Sequence, residues 1–215
     1  MKYGESIFDI IYLLFAVTLG ICILIKKKDT VGKLMGASVV ILGFGDAFHL
    51  VPRVMNYFSD ADFTPWLGVG KLVTSITMTV FYLLMYHLWL KLYDERARRI
   101  AGAIVYALVV LRIVLCLLPQ NRWLSNDGTL LWAIIRNVPF VVLGCIIVCL
   151  YFKKRSAIGR FRPVWLLVTL SFAFYIPVAV GASLVPILGM LMLPKTVCYM
   201  LLIWLFFKYA TEKKK

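Results

Sequence analysis

The sequence predicts an all-α integral membrane protein of seven transmembrane helices, with its N-terminus outside and its C-terminus in the cytoplasm. Three observations carry that prediction. Hydrophobic residues make up 62% of the 215-residue chain, against about 45–50% in a soluble domain. The excess falls in blocks of roughly 20 residues, long enough to cross a ~30 Å hydrocarbon core as a helix. The short connections between blocks are strongly basic on one side only. In lipid each backbone amide must be satisfied within its own segment, so the blocks are helices. A β-barrel would instead show ~10-residue stretches of alternating polarity, and none is visible.

Helix 1 is expected at 6–26. It ends in Lys26-Lys27-Lys28 rather than at a small-residue cleavage site, which marks a retained span and not a cleaved signal peptide. Helix 2 follows at 32–55 with Pro52 near its end. Helix 3, at 66–92, runs from Trp66 at the outer interface to Trp89 and Lys91 at the inner one. Helix 4, at 97–118, stops before Pro119. Helix 5, at 129–152, starts beyond Trp123 and Asp127 and ends at Lys153-Lys154-Arg155. Helix 6, at 162–184, begins beside Trp165, and helix 7, at 187–209, leads into a basic tail. Tryptophan at both ends fits the aromatic belts of membrane proteins. Short connections make residues 1–215 one domain.

Orientation follows from the loop cations. Lys26, Lys27, Lys28, Lys33, Lys91, Arg96, Arg98, Arg99, Lys153, Lys154, Arg155, Arg160, Arg162, Lys208, Lys213, Lys214 and Lys215 fall on one side. Only Lys2, Arg53 and Arg122 fall on the other, together with Asp60, Asp62 and Asp127. The basic side is the expected cytoplasmic side, and the expected location is a plasma (inner) membrane of bacterial type.

An internal repeat is expected. Leu19-Gly20 of helix 1 aligns with Leu143-Gly144 of helix 5, and Pro52 of helix 2 with Pro177 of helix 6. Tyr82, Lys91 and Glu95 of helix 3 align with Tyr199, Lys208 and Glu212 of helix 7. These pairs outline two parallel three-helix units, 6–92 and 129–209, joined by a linker helix at 97–118. The resulting 3+1+3 pattern with an outside N-terminus resembles the sugar-transporter and PQ-loop group, and more loosely the opsins. The resemblance is architectural and spans the whole chain. Leu118-Pro119-Gln120 looks like a PQ motif but lies at the end of the linker helix. A shared architecture carries no function by itself.

The net charge of +14 on a soluble chain would suggest nucleic acid. Here it sits in loops beside membrane spans, so lipids and not nucleic acid are the expected partners. The five cysteines, Cys22, Cys116, Cys145, Cys149 and Cys198, lie inside apolar blocks. They make no disulfide or metal pattern, and we read them as packing residues. No cofactor or metal is expected.

Charged residues inside a membrane are costly and point to function. Asp9, Asp46, His49, Arg53, Lys71, Arg112, Arg136 and Lys195 fall within the spans. At about 1.5 Å per residue, Asp9, Lys71, Arg112 and Arg136 lie roughly 5–12 Å below the outer surface, and Asp46 and Lys195 lie deeper. His87 is the exception, near the inner interface. The pattern predicts a polar pocket open to the outside and closed below by an apolar plug. Asp46, His49 and Arg53 share one helix face. Gly43 and Gly45 precede Asp46 and allow close helix approach. Arg136-Asn137 precede Pro139, and Lys195 follows Pro194, where proline can open a membrane helix beside a cavity. Tyr175 on helix 6 completes the expected ligand-binding set of Asp46, His49, Lys71, Arg112, Arg136, Asn137, Tyr175 and Lys195.

Five cations against Asp9 and Asp46 leave a surplus, and an unpaired buried cation is expensive. The leading expectation is therefore a transporter, or an outward-facing solute-binding or receptor protein, for a small anionic or zwitterionic ligand. Arg112, Arg136 and Lys195 would hold the anion, and Asp46–His49 would couple protons, since histidine titrates near neutrality. Two other readings stay open. In a lipid-modifying enzyme Asp46 and His49 would serve as base and orienter; a nucleophile motif such as GxSxG is absent from the sequence. In an opsin-like protein Lys195 would carry retinal as a Schiff base.

Overall fold

The computed structural model describes residues 2–95, 99–181 and 185–212. Among them seven helices form: α1 Lys2–Lys26, α2 Thr30–Phe58, α3 Thr64–Leu92, α4 Arg99–Leu117, α5 Leu130–Lys153, α6 Val164–Gly181 and α7 Met192–Thr211. Short 3-10 turns lie at Pro119–Asn121, Gly159–Phe161 and Pro186–Leu191. Seven spans are long and apolar enough to cross a membrane, so the chain is a polytopic membrane protein. The expected start of helix 4 at 97–98 and end of helix 6 at 182–184 lie outside the described residues. So do Arg96, Arg98, Lys213, Lys214 and Lys215 of the basic count.

Two boundaries differ in an instructive way. α1 begins at Lys2 rather than 6, which brings Glu5 into the helix. α7 begins at Met192 rather than 187, after the 3-10 turn. Pro194 explains the restart. An α-helix running from 187 would hold Pro194 in its interior, with the Met190 carbonyl left without a donor. In the first turn the missing amide is one that has no helical partner anyway.

α1 packs on α2 and α7, α2 on α3, α5 on α6 and α6 on α7. α3 also reaches α5, so six helices close a ring, while α4 stands outside it against α3 and α5. The tightest approach joins α2 and α3. Side chains on Gly45 and Gly70 would collide with Thr77 and with the Phe48 carbonyl, respectively. The Thr74 hydroxyl donates to the Gly45 carbonyl at 2.9 Å, so small residues and an interhelical hydrogen bond act together. Asp29 caps α2 by accepting from the Gly32 amide at 2.7 Å.

The ring interior is filled by aromatic side chains. Tyr82 stands edge-on to Phe81 and Phe140 and tilted against Phe172. Its hydroxyl meets that of Tyr199 at 3.1 Å. Trp89, expected at an interface, is instead buried, and its indole donates to the Leu150 carbonyl at 3.0 Å. Cys116 and Cys198 are buried, as packing residues should be, and Cys22 is half-buried. Cys145 and Cys149 are not packing residues, because α5 turns that face outward and leaves both exposed. The basic end of the bundle is tied by Lys154–Glu95 at 2.6 Å and Arg160–Glu212 at 2.7 Å.

Candidate functional site

The charged residues singled out from the sequence separate into three groups. Apart from His87, all belong to the half of the bundle that carries the N-terminus.

The first group joins α1 to α2. Arg53 forms an ion pair with Glu5, and Tyr57 donates to the same carboxylate at 3.0 Å. Arg53 is thus neutralised by a residue that the expected count of carboxylates omitted. Asp9, one turn below Glu5, is 4% exposed, and its Oδ2 has no hydrogen-bond partner among the described residues.

The second group knits α3, α4 and α5. Arg112 is 1% exposed. Its Nε donates to Thr79 Oγ1 at 3.1 Å and its NH1 to Asn137 Oδ1 at 2.9 Å. It also reaches the Arg136 carbonyl and lies 4.1 Å from the Phe140 ring centroid. Pro139 leaves the Ile135 carbonyl without its helical donor, and the loosened turn beside it is where Arg112 docks. Arg136 turns the other way. It donates to Asn121 Oδ1 at 2.8 Å and lies over Trp123 at 4.6 Å. Asn121 donates in turn to the Leu115 and Leu118 carbonyls at 2.7 and 2.9 Å. The α4–α5 connection is therefore tied to the helix ends by hydrogen bonds, and it also covers α3, where Lys71 donates to Asn126 at 2.7 Å. Every guanidinium and ammonium of this group is satisfied by uncharged acceptors.

The third group lies between α1, α2, α6 and α7. The Tyr12 hydroxyl donates to Asp46 Oδ2 at 2.7 Å. Lys195 Nζ lies 4.9 Å from the ring centroid of Tyr175 and 5.7 Å from that of Tyr199. Asp46 and Lys195 interact electrostatically, yet no salt bridge of 4.0 Å or less joins them. Among the described residues Lys195 Nζ has no hydrogen-bond acceptor and no ion pair. It sits in the first turn of α7, where the helix dipole adds to its positive potential. His49, expected to couple protons with Asp46, makes no hydrogen bond to it among the described residues, and its Nδ1 is buried without a partner there.

Tyr175 connects the second and third groups. Its hydroxyl donates to Asn137 Oδ1 at 2.8 Å while its ring carries Lys195. The Tyr82–Tyr199 pair and the Phe140–Phe172 contact underlie both. Tyr12 and Tyr199 are site residues that sequence reasoning missed. Their signal was available: polar-tipped aromatics within an apolar span, on helices that also carry a charge. Among the described residues no group of three metal-ligating side chains converges. His87 stands apart and meets the Tyr106 hydroxyl at 2.9 Å.

No family model, curated protein or solved structure matches this chain. The reading of function therefore rests on the site's own chemistry.

Proposed function

We propose that this protein is a solute-binding membrane protein, a carrier or receptor, that takes a small zwitterionic ligand between Lys195 and Asp46. One observation carries the reading: Lys195 is the cation of the set that its surroundings leave without an acceptor among the described residues. Its attraction to Asp46 is unfulfilled by contact, so the two opposite charges are poised to clamp a third group. The expected surplus of cations shrinks on inspection, because Arg53 takes Glu5, and Lys71, Arg112 and Arg136 take neutral oxygens. What remains is one amine, Lys195, and two carboxylates, Asp9 and Asp46, of which Asp46 is the one that interacts with it. A ligand carboxylate or phosphate fits Lys195, and a ligand cation fits Asp46. In a low-dielectric site such contacts are far stronger than in water, although desolvation offsets much of the gain.

Lys195 lies in the first turn of α7, toward the end of the bundle that carries the N-terminus. In this reading that end faces outside and the basic end faces the cytoplasm of a plasma membrane. A cysteine at the exposed Asp62 should react with an impermeant maleimide in intact cells; reaction only after lysis would reverse the orientation. The two-unit repeat is part of the same reading. Each aligned glycine packs on the helix that follows its own, Gly20 on α2 at Val39 and Val40 and Gly144 on α6 at Phe172, and Tyr82 and Tyr199 meet each other.

The test is thermal shift of the purified chain in nanodiscs against amino acids, dicarboxylates, inorganic phosphate, glycerophosphocholine and neutral polyols. A ligand at 100 times its Kd should add about 2.7 kcal/mol, or about 5–10 °C for a chain of this size. Lys195→Gln should abolish the response, and Arg136→Gln, whose guanidinium is already occupied, should keep it. Equal stabilisation by polyols, or a response unchanged in Lys195→Gln, would overturn the proposal. Lys195 near Asp46 is also the pair that a retinal Schiff base and its counterion need, so a visible absorbance band on adding retinal would replace this reading with the opsin-like one.

A further inference from the structure

α5 and α6 are separated on their outward side by a cleft of about 240 Å³. Ala133, Val138 and Val141 of α5 and Ile176, Ala179 and Val180 of α6 line it, with Asn137 and Tyr175 completing the wall. Val138, Ile176 and Val180 are exposed, so the cleft opens on a face of the bundle that lies in the hydrocarbon. The two polar residues in the wall are the two that join the charged groups of the interior. Tyr175 donates to Asn137 at 2.8 Å and presents its ring to Lys195 at 4.9 Å. One side chain thus borders both an apolar space open to lipid and the unpaired ammonium.

We infer that the ligand is a single-chain amphiphile that enters from the bilayer between α5 and α6, seating its acyl chain in the cleft and its charged head on Lys195. The inference rests on the solute-site reading above and names its substrate class. Charge selects the occupant. Lipid tails are as apolar as the cleft walls, so an acyl chain gains packing there but no hydrophobic driving force. A chain without a head to reach Lys195 is no better placed in the cleft than in the surrounding bilayer. A chain with an anionic or zwitterionic head gains a charge-assisted contact. A volume of about 240 Å³ holds no more than part of one acyl chain, and a tail-less solute would leave it to bulk lipid.

The experiment uses the full chain in phosphatidylcholine nanodiscs with a lysophosphatidylcholine that carries a diazirine at mid-chain. After irradiation, adducts are mapped by mass spectrometry. The expected result is labelling concentrated on Val138, Ile176, Ala179 and Val180, displaced by unlabelled lysophosphatidylcholine. Lys195→Gln removes one charge-assisted contact and should lower that labelling about tenfold. Val138→Phe, at an exposed position, and, separately, Ala179→Phe, at a half-buried one, fill the cleft, and each should abolish it. Adducts spread equally over other exposed faces, such as Ile104 and Leu111 of α4, would overturn the inference, because the probe would then be ordinary annular lipid. Cleft labelling indifferent to Lys195→Gln would overturn it too. Glycerophosphocholine, the same head without a chain, separates this failure from that of the solute site. If it still stabilises the protein through Lys195, the pocket stands and only the lateral amphiphile route falls.

Discussion

Replacing Arg112 with methionine should destabilise the protein while leaving the solute site in place. The magnitude follows from its surroundings. The guanidinium donates to Thr79, to Asn137 and to the Arg136 carbonyl, and it lies over Phe140. Interhelical hydrogen bonds in membranes average about 0.6 kcal/mol and reach about 1.7, so three with a charged donor are worth about 3–4 kcal/mol. A desolvated cation–π contact adds about 1–2. Relief from burying the charge returns a part of this. The net expected loss is about 2–3 kcal/mol, measured by reversible unfolding in mixed micelles. The cycle with Asn137→Leu should show a coupling of about 1 kcal/mol, because Asn137 Oδ1 would keep only the Tyr175 donor in Arg112→Met. If Arg112→Met unfolds within about 0.5 kcal/mol of wild type but loses its ligand response, then Arg112 is a ligand residue and the assignment to structure is refuted.

Three further outcomes are expected. Glu5→Gln should destabilise by about 1–3 kcal/mol by leaving Arg53 half-buried without its carboxylate, and the pair Glu5→Gln/Arg53→Gln should recover part of that loss; equal effects in single and double variants would deny the pairing. Gly45→Val should lower Tm by several degrees or prevent folding, because any side chain there strikes Thr77, whereas valine at the exposed Gly159, with open space around it, should change little. Cys145 and Cys149 should react with a membrane-permeant maleimide in the folded protein, while Cys116 and Cys198 should react only on unfolding; uniform reactivity would contradict the outward turn of that α5 face.

The spans were legible because lipid imposes one rule on all seven: a block of apolar residues must be long and must be helical. Which side of each span faces inward was harder to read. When nearly every residue is apolar, the helical period carries little signal, so Cys145, Cys149 and Trp89 were misplaced while the helices holding them were not. The charges taught a similar lesson. Counting carboxylates against cations overlooked Glu5 and ignored the oxygens of Thr79, Asn121, Asn126 and Asn137. A buried guanidinium can be satisfied by neutral acceptors, which a tally of formal charge does not see. The proximity of Lys195 to Asp46 depended on the restart of α7 before Pro194. That restart had a cue in the proline itself, whereas the contact of Tyr175 with Asn137 arises only when α5 and α6 pack.

Arg112 has a consequence for how the chain is made. Apart from that residue α4 is among the most apolar spans, with a mean hydropathy of 2.6 over its best window. An arginine at the centre of a span raises the cost of insertion by roughly 2.5–3.5 kcal/mol, and Arg112, five residues from the end of α4, carries a part of that cost. As α4 emerges from the ribosome, Thr79 on α3 is already in the bilayer, but Asn137 and the Arg136 carbonyl have not yet been synthesised. For that interval the guanidinium has only part of its shell, and α4, outside the ring, has only α3 to lean on. The birth of α5 therefore completes the nascent half-protein. Ribosome-bound chains truncated before 130 should leave α4 incompletely inserted, and those extended past α5 should lock it in place.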